Sequence, residues 1–158
     1  MAESAPFLPF RFQVSLFAGA SLAQGGQLVC AGAFSEVSGL EATMTPKKFA
    51  EGGRNWGEVQ RAGPVTFGTV TLKRGVTSVG DLWSWFDAVA REGNGGLRLS
   101  AEIEVRDDGE GEPLLRIKLT NVLPGKFKAP DLNAAATQVA VEELQLVHEG
   151  LVVERRAG

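Results

Sequence analysis

The sequence predicts a mainly β protein with one α-helix. Strands are indicated by short runs in which apolar and polar residues alternate, and turns by 20 glycines that fall between the apolar runs. A helix is indicated only from about Ser78 to Glu92, where apolar residues recur at helical spacing. The 158 residues, 44% of them hydrophobic, are enough for one sizeable core. We therefore expect a single domain over residues 1–158.

The predicted helix has one apolar stripe, which must pack against a sheet. Ser78 and Asp81 have the spacing of a capping box, and Gly93 supplies a left-handed conformation that ends the helix. The opposite face carries Asp81 and Asp87, but also Trp85, where a solvated helix is normally polar. This pattern predicts a buried Trp83 and a Trp85 that faces a partner. The residues assigned to the stripe are Val79, Leu82, Trp83, Phe86, Val89 and Ala90.

Alternation predicts strands on both sides of the helix. Residues 10–16 alternate, and the apolar run from Leu28 to Phe34 follows a turn, so these two segments are expected to form a hairpin. After the helix, residues 97–105 alternate strictly, and residues 115–119 follow an acidic turn as the second strand of another hairpin. A last long strand is predicted from Val139 to Val147.

The periodicity disappears between Glu41 and Pro64. This segment is rich in glycine and charge, and it holds Phe49 and Trp56 without a consistent period. Structureless connections of this length are uncommon inside compact domains, and those that occur are mostly functional or disordered. Two large aromatic residues argue against disorder. We therefore predict a long loop or an extended hairpin that has a functional role.

The sequence offers few groups for catalysis or for metal binding. With one histidine and one cysteine in the chain, a nucleophilic triad would have to use His148, and there is no strained nucleophile turn. The acidic residues between 107 and 112 do not fit an EF-hand, because Gly109, Gly111 and Lys118 stand where oxygen ligands are needed. We expect a non-enzymatic protein with no cofactor and no metal.

Charge and cysteine usage narrow the possible partners and compartments. A net charge of −3 gives no general attraction to nucleic acid or to anionic membranes, so neither is an expected partner. The N-terminal residues lack the basic start of a signal peptide, and no apolar run reaches membrane-spanning length. Cys30 is the only cysteine, which excludes an intrachain disulfide and favours a buried thiol. We expect synthesis and assembly in the cytoplasm.

Six stretches of the sequence match one family in the same order and at similar spacings. They are FSEVSGLEA (34–42), GGRN (52–55), VTLKRG (70–75), LWSWFDAV (82–89), PGKFKAPDLNA (124–134) and VAVEELQLVHEGL (139–151). Together they resemble the inner tube proteins of contractile phage tails and of extracellular contractile injection systems. A weaker similarity extends to the Hcp tube protein of type VI secretion.

This resemblance implies a two-sheet β-sandwich or barrel-like tail-tube fold with one flanking helix. It further implies hexameric rings that stack into a hollow tube inside a sheath, and a tube that is driven through a target envelope to deliver cargo. The implied partners are further copies of the chain, the sheath protein, tube-initiator or baseplate proteins and tube-terminator proteins. Cargo effectors or phage DNA would occupy the lumen. The assembled tube would leave the bacterial cytoplasm as part of a released particle or virion.

The resemblance also assigns roles to two groups of residues. It implies that Phe49, Arg54 and Trp56 contact a neighbouring subunit or the next ring. The helix would lie on the outside of the tube, and three of its residues would face the sheath: Asp81, Trp85 and Asp87.

Two alternatives stay open at this point. One is a tube-initiator or baseplate-proximal paralogue of the same family. The other, from a different class, is a soluble β-sandwich binding module such as a carbohydrate binder, which should cluster exposed aromatics on one strand face. Here the three tryptophans, Trp56, Trp83 and Trp85, fall on a predicted loop and a helix. The sequence does not distinguish a phage from a domesticated injection system.

Overall fold

The computed structural model describes residues 11–19, 28–50, 52–53, 56–76, 81–92, 98–107, 111–131, 134–135 and 140–156, without the side chains of residues 11, 28–30 and 81. This part of the chain contains twelve strands and one helix. The strands are β1 Arg11–Ala18, β2 Leu28–Phe34, β3 Glu36–Ser38, β4 Ala42–Met44, β5 Lys47–Phe49, β6 Val59–Arg61, β7 Val65–Phe67, β8 Val70–Gly75, β9 Leu99–Arg106, β10 Leu115–Lys128, β11 Val141–Val147 and β12 Gly150–Arg155, and the helix is α1 Asp81–Glu92.

Eight of the strands form one curled antiparallel sheet in the order β2-β1-β9-β10-β11-β8-β3, with β12 added beside β10. The 14-residue strand β10 belongs to two halves of this sheet. Its first half pairs with β9 and β12, and its second half pairs with β11. At the ends of the order, β2 and β3 are separated by Ser35 alone, so the chain itself connects the two outer strands. The predicted two-sheet, barrel-like fold with one flanking helix is confirmed.

The core of this barrel-like sheet follows the alternation in the sequence. In β9, Leu99, Ala101 and Ile103 are buried, and Glu102 and Glu104 on the other face are partly exposed, although Ser100 is buried as well. The helix covers the same core with Leu82 and Trp85. The buried apolar cluster consists of Val14, Leu16, Phe34, Val70, Leu72, Leu82, Trp85, Leu99, Ala101, Ile103, Ile117, Leu119, Val122, Leu144 and Leu146.

The predicted faces of the helix are wrong. Trp85, expected to point outward, is 3% exposed, whereas Trp83, assigned to the core, is 51% exposed. On a helix with 100° between residues, Trp85 lies about 60° from Leu82, and Trp83 lies about 100° away on the other side. The buried stripe is therefore centred on Leu82, Trp85 and Val89 rather than on the side that contains Trp83. The helix begins at Asp81, and Ser78 lies outside the described residues.

The segment from Glu41 to Gly68 is an extended hairpin, which we call the arm. Strand β4 pairs with β7, and further out β5 pairs with β6, each as a separate two-stranded sheet. The Thr45 amide donates to the Pro64 carbonyl oxygen at 3.0 Å and connects the two pairs. All residues from 41 to 50 are exposed, so the arm extends away from the core. The sequence predicted either a long loop or an extended hairpin for this segment, and the structure contains the extended hairpin. Among the described residues, no helix has the length and apolar character needed to cross a membrane.

Candidate assembly interface

Among the described residues, seven of the ten large exposed apolar side chains lie in three places on the surface. Four are in the arm, one is on the helix, and two are on the last strand. Where exposed apolar side chains form a contiguous patch, the patch commonly marks an interaction site. These residues are Met44, Phe49, Trp56 and Val65 in the arm, Trp83 on α1, and Val152 and Val153 on β12.

The outer part of the arm forms an apolar recess beside a positive charge. Phe49 lies opposite Val59 in the β5–β6 pair, and these residues, together with Ala50 and Arg61, line a recess of about 270 Å³. The guanidinium carbon of Arg61 lies 5.6 Å from the centre of the Phe49 ring, within cation–π range. The recess is suited to an apolar or aromatic group that also carries an acceptor for Arg61.

Trp56 lies between β5 and β6 and is 89% exposed. Of the three residues predicted to contact neighbours, Phe49 and Trp56 are thus both exposed on the outer arm, and Arg54 lies outside the described residues. Their contacts with another subunit stay a prediction.

The two chain segments at the base of the arm pack closely against each other where they leave the barrel-like sheet. Gly39 has φ of +82°, and a Cβ at that position would stand 1.9 Å from the carbonyl oxygen of Thr69. A residue with a side chain would need both a left-handed backbone and a displaced neighbour. At Gly68, the last residue of the arm, an added Cβ would stand 2.5 Å from the Glu41 side chain. Close packing therefore fixes the direction in which the arm leaves the sheet.

His148, in the two-residue break between β11 and β12, joins the arm to the barrel. Its ring lies 5.0 Å from the ring of Phe67 in β7. Nδ1 is 3.0 Å from the carbonyl oxygen of Gly150, and Nε2 is buried without a hydrogen-bond partner among the described residues. Burial lowers the pKa of His148 below its ordinary value, and the hydrogen bond to Gly150 opposes this shift.

The outward side of the helix has an aromatic patch. Trp83 stacks on Phe86, with ring centres 5.8 Å apart, and lies 5.5 Å from Phe127 of β10. Asp87 accepts a hydrogen bond from Nε of Arg91 at 3.0 Å. Asp81 begins the helix, but its side chain is not described.

The sheath-facing role predicted for Trp85 is wrong, because that side chain is buried under the helix. The sequence analysis did not identify Trp83 as the exposed tryptophan. The helical spacing of Leu82, Trp85 and Val89 was the pattern that would have placed Trp83 outside the buried stripe.

The face of β9, β10 and β12 that points away from the core carries paired charges. Arg116 Nε lies 2.7 Å from Glu102 Oε1, and Lys118 Nζ lies 3.1 Å from Glu154 Oε1. Burial raises the pKa of the Glu102 carboxyl, and the charge of Arg116 opposes that shift. Within the described part of the chain, no group of three or more His, Cys, Asp or Glu is placed to hold a metal ion.

A small barrel-like domain whose exposed features are an aromatic arm, an aromatic helix face and an apolar last strand is typical of an assembly subunit. The chain matches the family "T4-like virus tail tube protein gp19" over residues 8–152. It belongs to that family, and the resemblance seen in the sequence is confirmed.

Three solved structures show how far this likeness extends. A chain of the six-fold symmetrised anti-feeding prophage baseplate is 26% identical, with a TM-score of 0.76 over 97% of this chain and 98% of that one. A chain of the sheath–tube complex of the extracellular contractile injection system PVC is 20% identical, with a TM-score of 0.72 over 96% and 92%. An Hcp protein is 14% identical, with a TM-score of 0.57 over 95% and 94%. The last two show the fold alone. No protein with a curated description matches the chain.

Proposed function

We propose that this chain is the inner tube subunit of a contractile injection system or contractile phage tail. Six copies form a ring, rings stack into a hollow tube inside a sheath, and the tube is driven through a target envelope to deliver cargo. The observation that carries the proposal is the end-to-end likeness to a chain of a six-fold particle, which spans 97% of this chain and 98% of the other. A fold shared over the whole length leaves little of the chain for a different function.

The arm supplies the contacts between subunits or between rings in this proposal. Met44, Phe49 and Val65 are each about half exposed, and Trp56 is 89% exposed, although the barrel buries its own core well. Keeping such residues in water is costly for a monomer, at roughly 25 cal/mol for each Å² of apolar surface. A neighbouring copy that covers the arm would recover this free energy.

The helix faces the sheath in this proposal, through Trp83 and Asp87. A half-exposed aromatic beside a carboxylate suits a partner that brings an apolar group and a cation. Support comes from the PVC chain, which was solved in a sheath–tube complex. Further partners would be baseplate and terminator proteins, and the lumen would hold cargo or phage DNA. Assembly would take place in the bacterial cytoplasm, before the particle is released.

A second candidate is a ring next to the baseplate, at the start of the tube. The matched baseplate chain is 26% identical, compared with 20% for the sheath–tube chain. An initiator ring and a main tube subunit differ in whether rings stack on themselves. This difference can be measured.

The test is electron microscopy of the purified chain, alone and with the sheath and baseplate proteins from the same source. A main tube subunit gives tubes of many rings, whereas an initiator gives single rings that elongate only when a second tube protein is added. A chain that stays monomeric at high concentration under all these conditions contradicts both candidates.

A further inference from the structure

The direction of the arm depends on how its base is held against the barrel. In the described part of the chain, the arm strands pair only with one another, β4 with β7 and β5 with β6, and none of them joins the eight-stranded sheet. The two chain segments that lead into and out of the arm pass close together at Gly39 and Thr69. A pair of short connections can act as a hinge, so a side-chain contact beyond them is needed to hold the arm.

Such a contact is made by Phe67 and His148. Phe67 is the last residue of β7 and lies opposite Ala42 in the β4–β7 pair. The ring of His148, in the break between β11 and β12, lies 5.0 Å from the Phe67 ring, with 41° between the ring planes. Both residues are partly buried. The base of the arm is therefore attached to the barrel through a residue that can take up a proton.

The hydrogen bond of His148 determines which nitrogen carries the proton in the neutral ring. Nδ1 lies 3.0 Å from the carbonyl oxygen of Gly150, and a carbonyl oxygen can only accept, so Nδ1 is the donor. The unprotonated nitrogen of the neutral ring is then Nε2. Nε2 is buried and has no hydrogen-bond partner among the described residues. A second proton would therefore enter the ring at a buried atom that has no acceptor there.

Two carboxylates lie near this contact, one on each side. In the arm, the Glu41 side chain packs beside Gly68. On the barrel, Glu149 accepts a hydrogen bond from Nη1 of Arg98 at 3.4 Å and another from the Asn121 side chain. Neither carboxylate contributes to the pKa of the imidazole, which burial lowers and the backbone hydrogen bond raises. Within the described residues, a charged ring would thus be buried without a counter-charge, which is costly.

We propose that the rings of His148 and Phe67 form an acid-sensitive latch between the arm and the barrel. When Nε2 takes up a proton, the imidazolium moves into water, the latch opens, and the arm loses the direction in which it meets the next copy. The proposal rests on the function proposed above for the arm and adds a means of regulation, because tubes would form near neutral pH and weaken in acid. Histidines that become protonated at about pH 5–6 open protein interfaces in this way.

The histidine itself limits the size of the effect. For each pH unit between the ordinary pKa and the pKa in the closed latch, protonation shifts the balance toward the open latch by at most about tenfold per copy. In a ring every copy has its own latch, so the proton uptake adds from copy to copy. Tube formation should consequently fall more steeply with pH than a single histidine titrates.

The latch is tested by NMR of the unchanged chain, at a concentration below that of ring formation. Near neutral pH, nuclear Overhauser effects should connect the ring protons of His148 with those of Phe67. They should disappear as the histidine becomes protonated, whereas those between Phe67 and Ala42 inside the arm should remain. Effects between the two rings that persist when His148 is fully protonated overturn the proposal.

The consequence for assembly is tested by electron microscopy of tubes at pH 7.5 and pH 5.0, on either side of the ordinary histidine pKa. The parent chain should lose at least about tenfold of its tube yield in acid. In His148→Gln, an amide that does not titrate can still donate to the Gly150 carbonyl oxygen, so tubes should form at both pH values. Glu102→Gln is the matched control, because burial raises the pKa of this distant carboxyl and it also titrates in acid. This control should remain as acid-sensitive as the parent.

Parent tubes that persist at pH 5.0 overturn the proposal, whatever the glutamine variants do. An acid response that His148→Gln retains, or that Glu102→Gln abolishes, assigns the effect to other groups and also overturns it. A parent chain that forms no tubes at pH 7.5, even with its baseplate proteins, refutes the proposed function instead. The effect of the latch on assembly then fails with that function, and the NMR measurement still decides whether acid opens the contact.

Discussion

The arm and the barrel-like sheet both contain large apolar residues, but they differ in how far those side chains are buried. In β8 of the barrel, buried and half-buried residues alternate without exception. In β4 and β5 of the arm, every residue is exposed, Met44 and Phe49 included. Apart from a few exposed valines such as Val152 and Val153, the barrel therefore buries its apolar side chains within one chain, and the arm does not.

This difference separates what stabilises the subunit from what would stabilise an assembly. Residues that bury apolar area within the chain contribute to the free energy of unfolding of a monomer. Residues that stay in water contribute only when a partner covers them. Variants of the two regions should consequently affect different measurements.

The largest effect is expected from removing the outer arm. Replacing Lys47–Arg61 with a short Gly/Ser linker keeps the β4–β7 pair and removes the recess and Trp56. Loop-closure entropy changes only slowly with loop length, by about 0.6 kcal/mol for each doubling, so the fold should be retained. We expect a normal melting curve and circular dichroism spectrum, with no tubes in electron micrographs.

A full-length control distinguishes the aromatic side chains of the arm from its backbone. The double variant Phe49→Ser with Trp56→Ser keeps the β5–β6 pair but removes the main apolar anchors, and it should also fail to form tubes. If the shortened protein forms ordinary tubes, the arm is not a connector. If it unfolds, the arm belongs to the core.

The next largest effect concerns the two tryptophans of the helix. Trp85→Ala should lower the free energy of unfolding by about 3–5 kcal/mol, because it empties a large buried site. Trp83→Ala should cost about 1 kcal/mol or less and should instead weaken binding of the sheath protein. Urea denaturation and a sheath pull-down measure the two effects.

Trp85→Phe sharpens this comparison. The buried Nε1 of Trp85 has no hydrogen-bond partner among the described residues. Replacing the indole with a phenyl ring removes that unpaired donor, whose burial costs about 1–3 kcal/mol. We expect a much smaller loss than for alanine. Equal losses of stability in Trp83→Ala and Trp85→Ala would contradict the assignment of the faces.

The strands that pack against the core could be predicted, because burial on one face imposes alternation on the sequence. The run predicted from Leu28 to Phe34 has the same bounds as β2, and residues 97–105 correspond closely to β9. Strand β12 was missed. Leu151, Val152 and Val153 are consecutive apolar residues, so they lack the period of two. The same property, apolar side chains on both faces, is what marks this strand as an edge.

The arm and the helix show two other limits of the sequence. Both faces of the arm are exposed, so no alternation fixed the pairing of β5 with β6. On the helix, Trp83 and Trp85 are two residues apart, and each has apolar neighbours at helical spacing, so either one could belong to the buried stripe. Only the position of the sheet decides which tryptophan is buried.

Gly39, where the arm leaves the sheet, should give an intermediate effect. Alanine at this position must adopt φ near +82° with a Cβ 1.9 Å from the Thr69 carbonyl oxygen. Gly53 is the matched control, because its φ is +85° and no atom of the described residues lies within 4 Å of an added Cβ. The left-handed conformation alone costs alanine about 1–2 kcal/mol.

We expect Gly39→Ala to lose more stability in urea than Gly53→Ala and also to reduce tube formation, because the arm would be redirected. Similar losses in the two variants would mean that the close approach to Thr69 relaxes easily and does not fix the arm.

The smallest expected effect is the titration of His148, at the contact between the arm and the barrel. Because burial favours the neutral imidazole, the pKa of His148 in the folded chain should lie below its ordinary value of 6.5. The folded state then binds fewer protons than the unfolded state just below pH 6.5, so the contribution of this residue to stability is complete above that pH and is lost as the pH falls toward the folded pKa.

The chain has a single histidine, so NMR of its Hε1 resonance follows the titration without overlap from other histidines. In Phe67→Ala, the ring of His148 should become more hydrated and its pKa should rise toward the ordinary value, although residue 67 lies in the arm. A pKa of 6.5 or higher in the parent chain, or one that Phe67→Ala leaves unchanged, would show that the arm does not pack on the barrel at this point.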